Sequence, residues 1–206
     1  MDLRALILGA LLYVLFPLWL VAGIADYALH RRSAIERTSG LKESALHVLQ
    51  ALQVGLPLAM CSFFEINALV LVISLICVLA HTLTALWDGL YTDKRRFISP
   101  VEQHVHSHLE YIPLVAMLLV AILHWGQFRA LFGAGGEPAH FRLTLKEHPV
   151  PTEYLLVVLG PIILVQGVLL MEEFLRCLRA SPDTRTAPDL APNDSARSRM
   201  LRKSSR

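Results

Sequence analysis

The chain has 206 residues, of which 54% are apolar and only 17% charged. A soluble domain carries about a quarter charged residues, so this composition, with a mean hydropathy of +0.50, excludes an ordinary soluble domain. The net charge of +2 is small but uneven, because eight of the 19 Lys and Arg fall between positions 176 and 206.

A helix that crosses hydrocarbon needs about 20 mostly apolar residues. Five segments meet or approach this, at residues 5–25, 47–64, 68–87, 112–128 and 154–171. The expected fold is an all-α integral membrane protein, a bundle of about five transmembrane helices over residues 1–180. A basic, disordered tail follows over 181–206, rich in Pro, Ser, Asp and Arg and lacking an apolar period. The first span is too long for a signal-peptide core and is followed at once by basic residues, so it reads as a retained helix. Asp26 and His30 close it, four residues apart and therefore on one face.

The second span is interrupted by Gln50, Gln53 and Pro57, and its helix is expected to begin earlier, near Ser39 and Gly40. Glu43 and His47 then share a face, and Glu36 joins them if the helix is continuous through Gly40. On the third span His81 and Asp88 are seven apart. Asp88 stands at the helix end, and His81 lies about 10 Å deeper, where an imidazole needs a partner.

The fourth helix opens at Ser99-Pro100-Val101-Glu102, a capping box with proline in the first turn. From that start Glu102, His106 and Glu110 share one face, while His104 and His108 share another about 160° away from His106. The loop between the fourth and fifth spans contains an alternating stretch at 140–145, read as a short hairpin or an interfacial segment. Glu172 and Glu173 end the fifth span and read as a solvated helix end. Cys61, Cys77 and Cys177 have no pair spacing and read as small packing residues.

Orientation follows from the Lys and Arg count. Placing the first and third connections and the tail inside puts 15 of the 19 basic residues on the cytoplasmic side. The N-terminus is then outside, the C-terminus inside, and the expected location a bacterial cytoplasmic membrane. Asp26, His30, Glu43, His47, His81, Asp88, Glu102, His104, His106 and His108 all approach that inner boundary and form the candidate metal-ligand set. Several of them also have ordinary roles: Glu102 as a helix cap, Asp26 and Asp88 as partners of nearby arginines.

Imidazole and carboxylate together suit Fe, Mn, Zn or Cu, and ligands from several helices of a bundle are how two-metal carboxylate centres are built. The layout resembles, in outline, the membrane di-iron desaturase and hydroxylase superfamily, whose His-rich clusters also lie at the cytoplasmic ends of helices. The run His104-Val105-His106-Ser107-His108 holds one HxxxH spacing but no HxxHH box, so no family ligand is carried over. The expected function is a metal-dependent, non-haem di-iron oxidoreductase of hydroxylase or desaturase type. Its substrate would be a lipid or other apolar molecule, and no nucleic acid is expected as a partner. No GxGxxG or P-loop fingerprint is present, so its electrons would come from a partner protein. The alternatives are electron transfer through haem b, with His47 and His81 as axial ligands, and a metal-ion or proton-coupled transporter.

Overall fold

The computed structural model describes residues 2–147, 150 and 152–184. Five helices in it are long and apolar enough to cross a membrane: α1 (Leu3–Ser33), α2 (Gly40–Phe63), α3 (Ala68–Thr92), α4 (Pro100–Leu123) and α6 (Thr152–Ser181). A short helix α5 (Trp125–Ala130) follows α4. The helical turns of α6 continue to Thr184, and the rest of the expected tail, 185–206, lies outside the described residues.

The helices close a ring. α1 packs on α4, α4 on α3, α3 on α2, α2 on α6, and α6 back on α1. Large apolar side chains such as Leu83, Leu156 and Leu164 point outward, while His30, Glu43, Ser74, His81, Asp88, Glu102 and Glu173 are buried. Apolar groups outside and polar groups within is the arrangement a hydrocarbon surround favours. A small apolar core of Leu71, Val78 and Met117 fills the space between α3 and α4.

Local breaks shape this ring. Pro17 and Pro161 each follow a π-helical turn, at Leu11–Leu15 and Leu155–Leu159. A proline has no N–H to donate and its ring crowds the preceding turn, which the wider π turn relieves. The two irregular turns meet: Tyr154 donates its hydroxyl to the Leu12 carbonyl at 2.7 Å. At the other end Ala34 takes a left-handed conformation (φ 50°) and stops α1. A 3-10 turn, Ile35–Arg37, then leads to Gly40 at φ 67°, which opens α2. That break takes Glu36 off the α2 face expected for it, and Glu36 instead pairs with Arg176 of α6. The tight turn also brings the end of α1 against the start of α2.

The expected fourth span at 112–128 is displaced in the fold. α4 runs from Pro100 with the capping box formed, and ends where His124 leaves helical geometry. The 140–145 stretch forms no hairpin of its own. It lies along the α2–α3 connection, with an isolated bridge between Phe64 and Leu145.

At this same end of the ring burial, reinforced by the charges of Arg4 and Lys146, lowers the His124 pKa to about 4. The unfolded histidine binds a proton more readily than the folded one, so this contribution is present above the ordinary value and lost as pH falls. Thermal unfolding in detergent should therefore lose more stability between pH 6.5 and pH 4 in the wild type than in His124→Phe.

Candidate metal centre

The His-rich end of the ring gathers the last turns of α1, α3 and α6 and the first turns of α2 and α4. α1 supplies Asp26 and His30 from one face. α2 supplies Glu43 and His47, α3 supplies Asp88, α4 supplies Glu102 and His106, and α6 supplies Glu173. Asp26, His30 and His106 can place one ligand atom each within 4.8 Å of one another, and so can His30, Glu43 and His47.

Four atoms define the centre of this group. Asp26 Oδ1, His30 Nε2, Glu102 Oε1 and His106 Nε2 are buried and have no hydrogen-bond partner among the described residues. They nevertheless crowd together. His106 Nε2 is 2.9 Å from Asp26 Oδ1. His30 Nε2 is 3.5 Å from both Asp26 Oδ1 and Glu102 Oε1. Ligands held about 2.1 Å from a common ion stand about 3.0–3.4 Å apart. Close approach without donor-to-acceptor alignment is what lone pairs aimed at a shared third point produce. Buried polar atoms without an aligned hydrogen bond are costly, so four of them at one place call for an explanation.

The surroundings orient these atoms. Glu173 spans two imidazoles, with Oε2 3.0 Å from His30 Nδ1 and Oε1 2.7 Å from His47 Nδ1. The two rings stack at 4.7 Å. A carboxylate on one ring nitrogen fixes an imidazole so that the other nitrogen can act as a ligand. His30 fits that role, with Nδ1 on Glu173 and Nε2 aimed inward. His47 does not, because its Nε2 is also engaged, 3.1 Å from Asp88 Oδ2. Gln50 of α2 donates to the same Asp88 oxygen at 3.2 Å.

Arg96, in the α3–α4 connection, turns inward. Its Nη2 is 2.6 Å from Glu43 Oε1 and 2.6 Å from Glu102 Oε1, with the side chain almost fully buried. The bond to Glu43 is aligned, whereas Glu102 Oε1 is approached off the hydrogen-bond line. Burial opposes the charge on this guanidinium, but Glu43 and Glu102 outweigh it and hold its pKa above the ordinary value. Ser39 donates to Glu43 from the other side. Five carboxylates therefore face a single guanidinium.

The candidate residues separate into three groups. Asp26, His30, Glu43, His47, Asp88, Glu102 and His106 are brought together. His81 stands deeper, lining a cavity beside them. His104 and His108 face away on α4, His104 exposed, and pair with each other at a ring separation of 4.7 Å. The helical period separates the two histidine faces, and the packing of α4 on α1 selects His106.

Two members were not expected. Glu173 reads in sequence as a solvated helix end, yet it is buried. A signal for it exists: Leu159, Ile162, Gln166, Leu170, Glu173 and Cys177 follow a three-and-four spacing, the seam of a packed helix. Arg96 counts in the sequence only as one of the three basic residues of its connection, and nothing local distinguishes it from Lys94 and Arg95. Glu172 does lie at the rim, bonded to Arg31 at 2.7 Å and Tyr27 at 2.8 Å. No protein-family model, curated protein or solved structure matches the chain.

Proposed function

We propose that this chain is a membrane-embedded metalloenzyme that acts on a lipophilic substrate, with one divalent ion held by Asp26, His30, Glu102 and His106. The observation that carries this reading is the crowding of four buried ligand atoms from α1 and α4, Asp26 Oδ1, His30 Nε2, Glu102 Oε1 and His106 Nε2, none of which makes an aligned hydrogen bond. Two imidazoles and two carboxylates suit Fe, Mn, Zn or Cu. When bound, such an ion supplies Lewis-acid activation or, as iron, O2 chemistry. The residues around it do the rest: Glu173 fixes the His30 ring, Arg96 holds Glu102 in place, and the ring of helices excludes water. Iron is the reading favoured here, with an electron-donor protein outside the chain. The positive-inside count supports a cytoplasmic position for this end of the bundle, where such a donor could reach it.

A second ion, as in a di-iron centre, has the His30, Glu43 and His47 group to occupy. It would require His47 to leave either Asp88 or Glu173, and His30, whose Nε2 serves the first ion, to release Nδ1 from Glu173. The five gathered carboxylates favour this second reading, and the doubly engaged His47 opposes it. Haem is disfavoured on size, because the cavity that His47 and His81 both line has a volume of about 100 Å³.

Metal analysis of protein purified without chelator tests the proposal. The expected result is about one Fe, Mn, Zn or Cu per chain, lost in Asp26→Asn/His106→Ala. Metal-free protein that also takes up none of these ions on reconstitution would refute it.

A further inference from the structure

Beside the four-ligand group, toward the membrane interior, lies a cavity of about 100 Å³. Asp26, His47 and Glu173 form its wall on the metal side, and Trp19, His81 and Leu109 line it further in. His81 is only 4% exposed, yet neither ring nitrogen has a hydrogen-bond partner. The carbonyls of Gln50 and Leu109 lie near the ring but off hydrogen-bond geometry. A buried imidazole unmatched on both nitrogens and lining a cavity is a site prepared for a polar atom from elsewhere.

The cavity limits what that atom can belong to. An engineered cavity of about 150 Å³ accepts benzene, and this one is smaller, so the end of a straight chain suits it better than a ring. Asp26 and Glu173 on the same wall repel a carboxylate or phosphate. The rest of the wall is mainly apolar, with Trp19, Leu169 and Leu170 between α1 and α6. Gly23 matters here: a methyl group on it would collide with the Gln166 side chain, which also lines the cavity.

We infer that this cavity seats the oxygen-bearing end of an unbranched aliphatic substrate, a primary alcohol or its aldehyde, with His81 hydrogen-bonded to that oxygen. The inference rests on the metal reading above and adds the substrate class to it. His81 is then a specificity-determining residue that presents the chain end to the ligand group without itself holding metal.

The test uses full-length protein in nanodiscs loaded with Co(II), whose visible spectrum reports on its ligands and their immediate neighbours. Dodecanol and dodecanal should shift that spectrum saturably, and dodecane, dodecanoate and dodecylamine should not. His81→Leu should keep the unliganded Co(II) spectrum but raise the half-saturating dodecanol concentration about tenfold, the worth of one buried hydrogen bond. Equal responses to dodecane and dodecanol, a response to dodecylamine alone, or an unchanged titration in His81→Leu would overturn the inference. Failure to take up Co(II), seen before any alcohol is added, would instead remove the metal reading, and the substrate site with it.

Discussion

Arg96→Met should destabilise the metal-free protein by about 3–5 kcal/mol, the cost of leaving buried carboxylates without their cation. Among the described residues the guanidinium is the only Lys or Arg side chain paired with the carboxylates at the centre of the cluster, and it touches Glu43 and Glu102 at 2.6 Å each. The loss should shrink when a divalent metal is added, because an ion near Glu102 supplies part of the missing charge. A ligand present at 100 times its dissociation constant stabilises by about 2.7 kcal/mol. Thermal unfolding of wild type and variant, with chelator and with saturating Zn(II), reads both quantities. Arg96→Lys should recover only part of the loss, since an ammonium cannot bridge two carboxylates with the planar fork of arginine. If Arg96→Met unfolds like the wild type in chelator, the cluster is not held together by charge.

The second large effect concerns the imidazole at the centre. His30→Ala should abolish measurable metal binding, because His30 Nε2 stands 3.5 Å from both Asp26 Oδ1 and Glu102 Oε1. Glu173→Gln should bind metal 10–100-fold more weakly, about the effect of losing an orienting carboxylate behind a ligand histidine. His104→Ala and His108→Ala should bind like the wild type, as their rings face away from the group. Equilibrium dialysis with Zn(II) distinguishes these outcomes, and circular dichroism of each variant separates lost ligation from lost folding. Wild-type affinity in Glu173→Gln would show that Glu173 does not position His30 for metal.

Hydropathy is a property of composition along the chain, so the five spanning helices were legible before any tertiary structure. So were the features that depend on residues within one or two turns. The capping box at Ser99 and Glu102 forms as its spacing requires. Asp26 with His30 and Glu43 with His47 share faces as helical spacing requires. Glu36 would have joined that face only in a helix continuous through Gly40, and the chain breaks at Ala34.

What the sequence by itself determined is therefore the helices, their caps and the face on which each ligand stands. Only the tertiary structure decided which faces meet. α1 packs on α4, which turns His106 inward and leaves His104 and His108 outside. α6 returns to both α1 and α2, which carries Glu173 between His30 and His47 while its neighbour Glu172 stays at the rim with Arg31 and Tyr27. Arg96 enters the cluster because its connection is short and ends at the Ser99 cap. The physical reason is range: caps and faces are set by residues three or four apart, whereas Glu173 reaches His30 across 143 positions, and no local spacing encodes that approach.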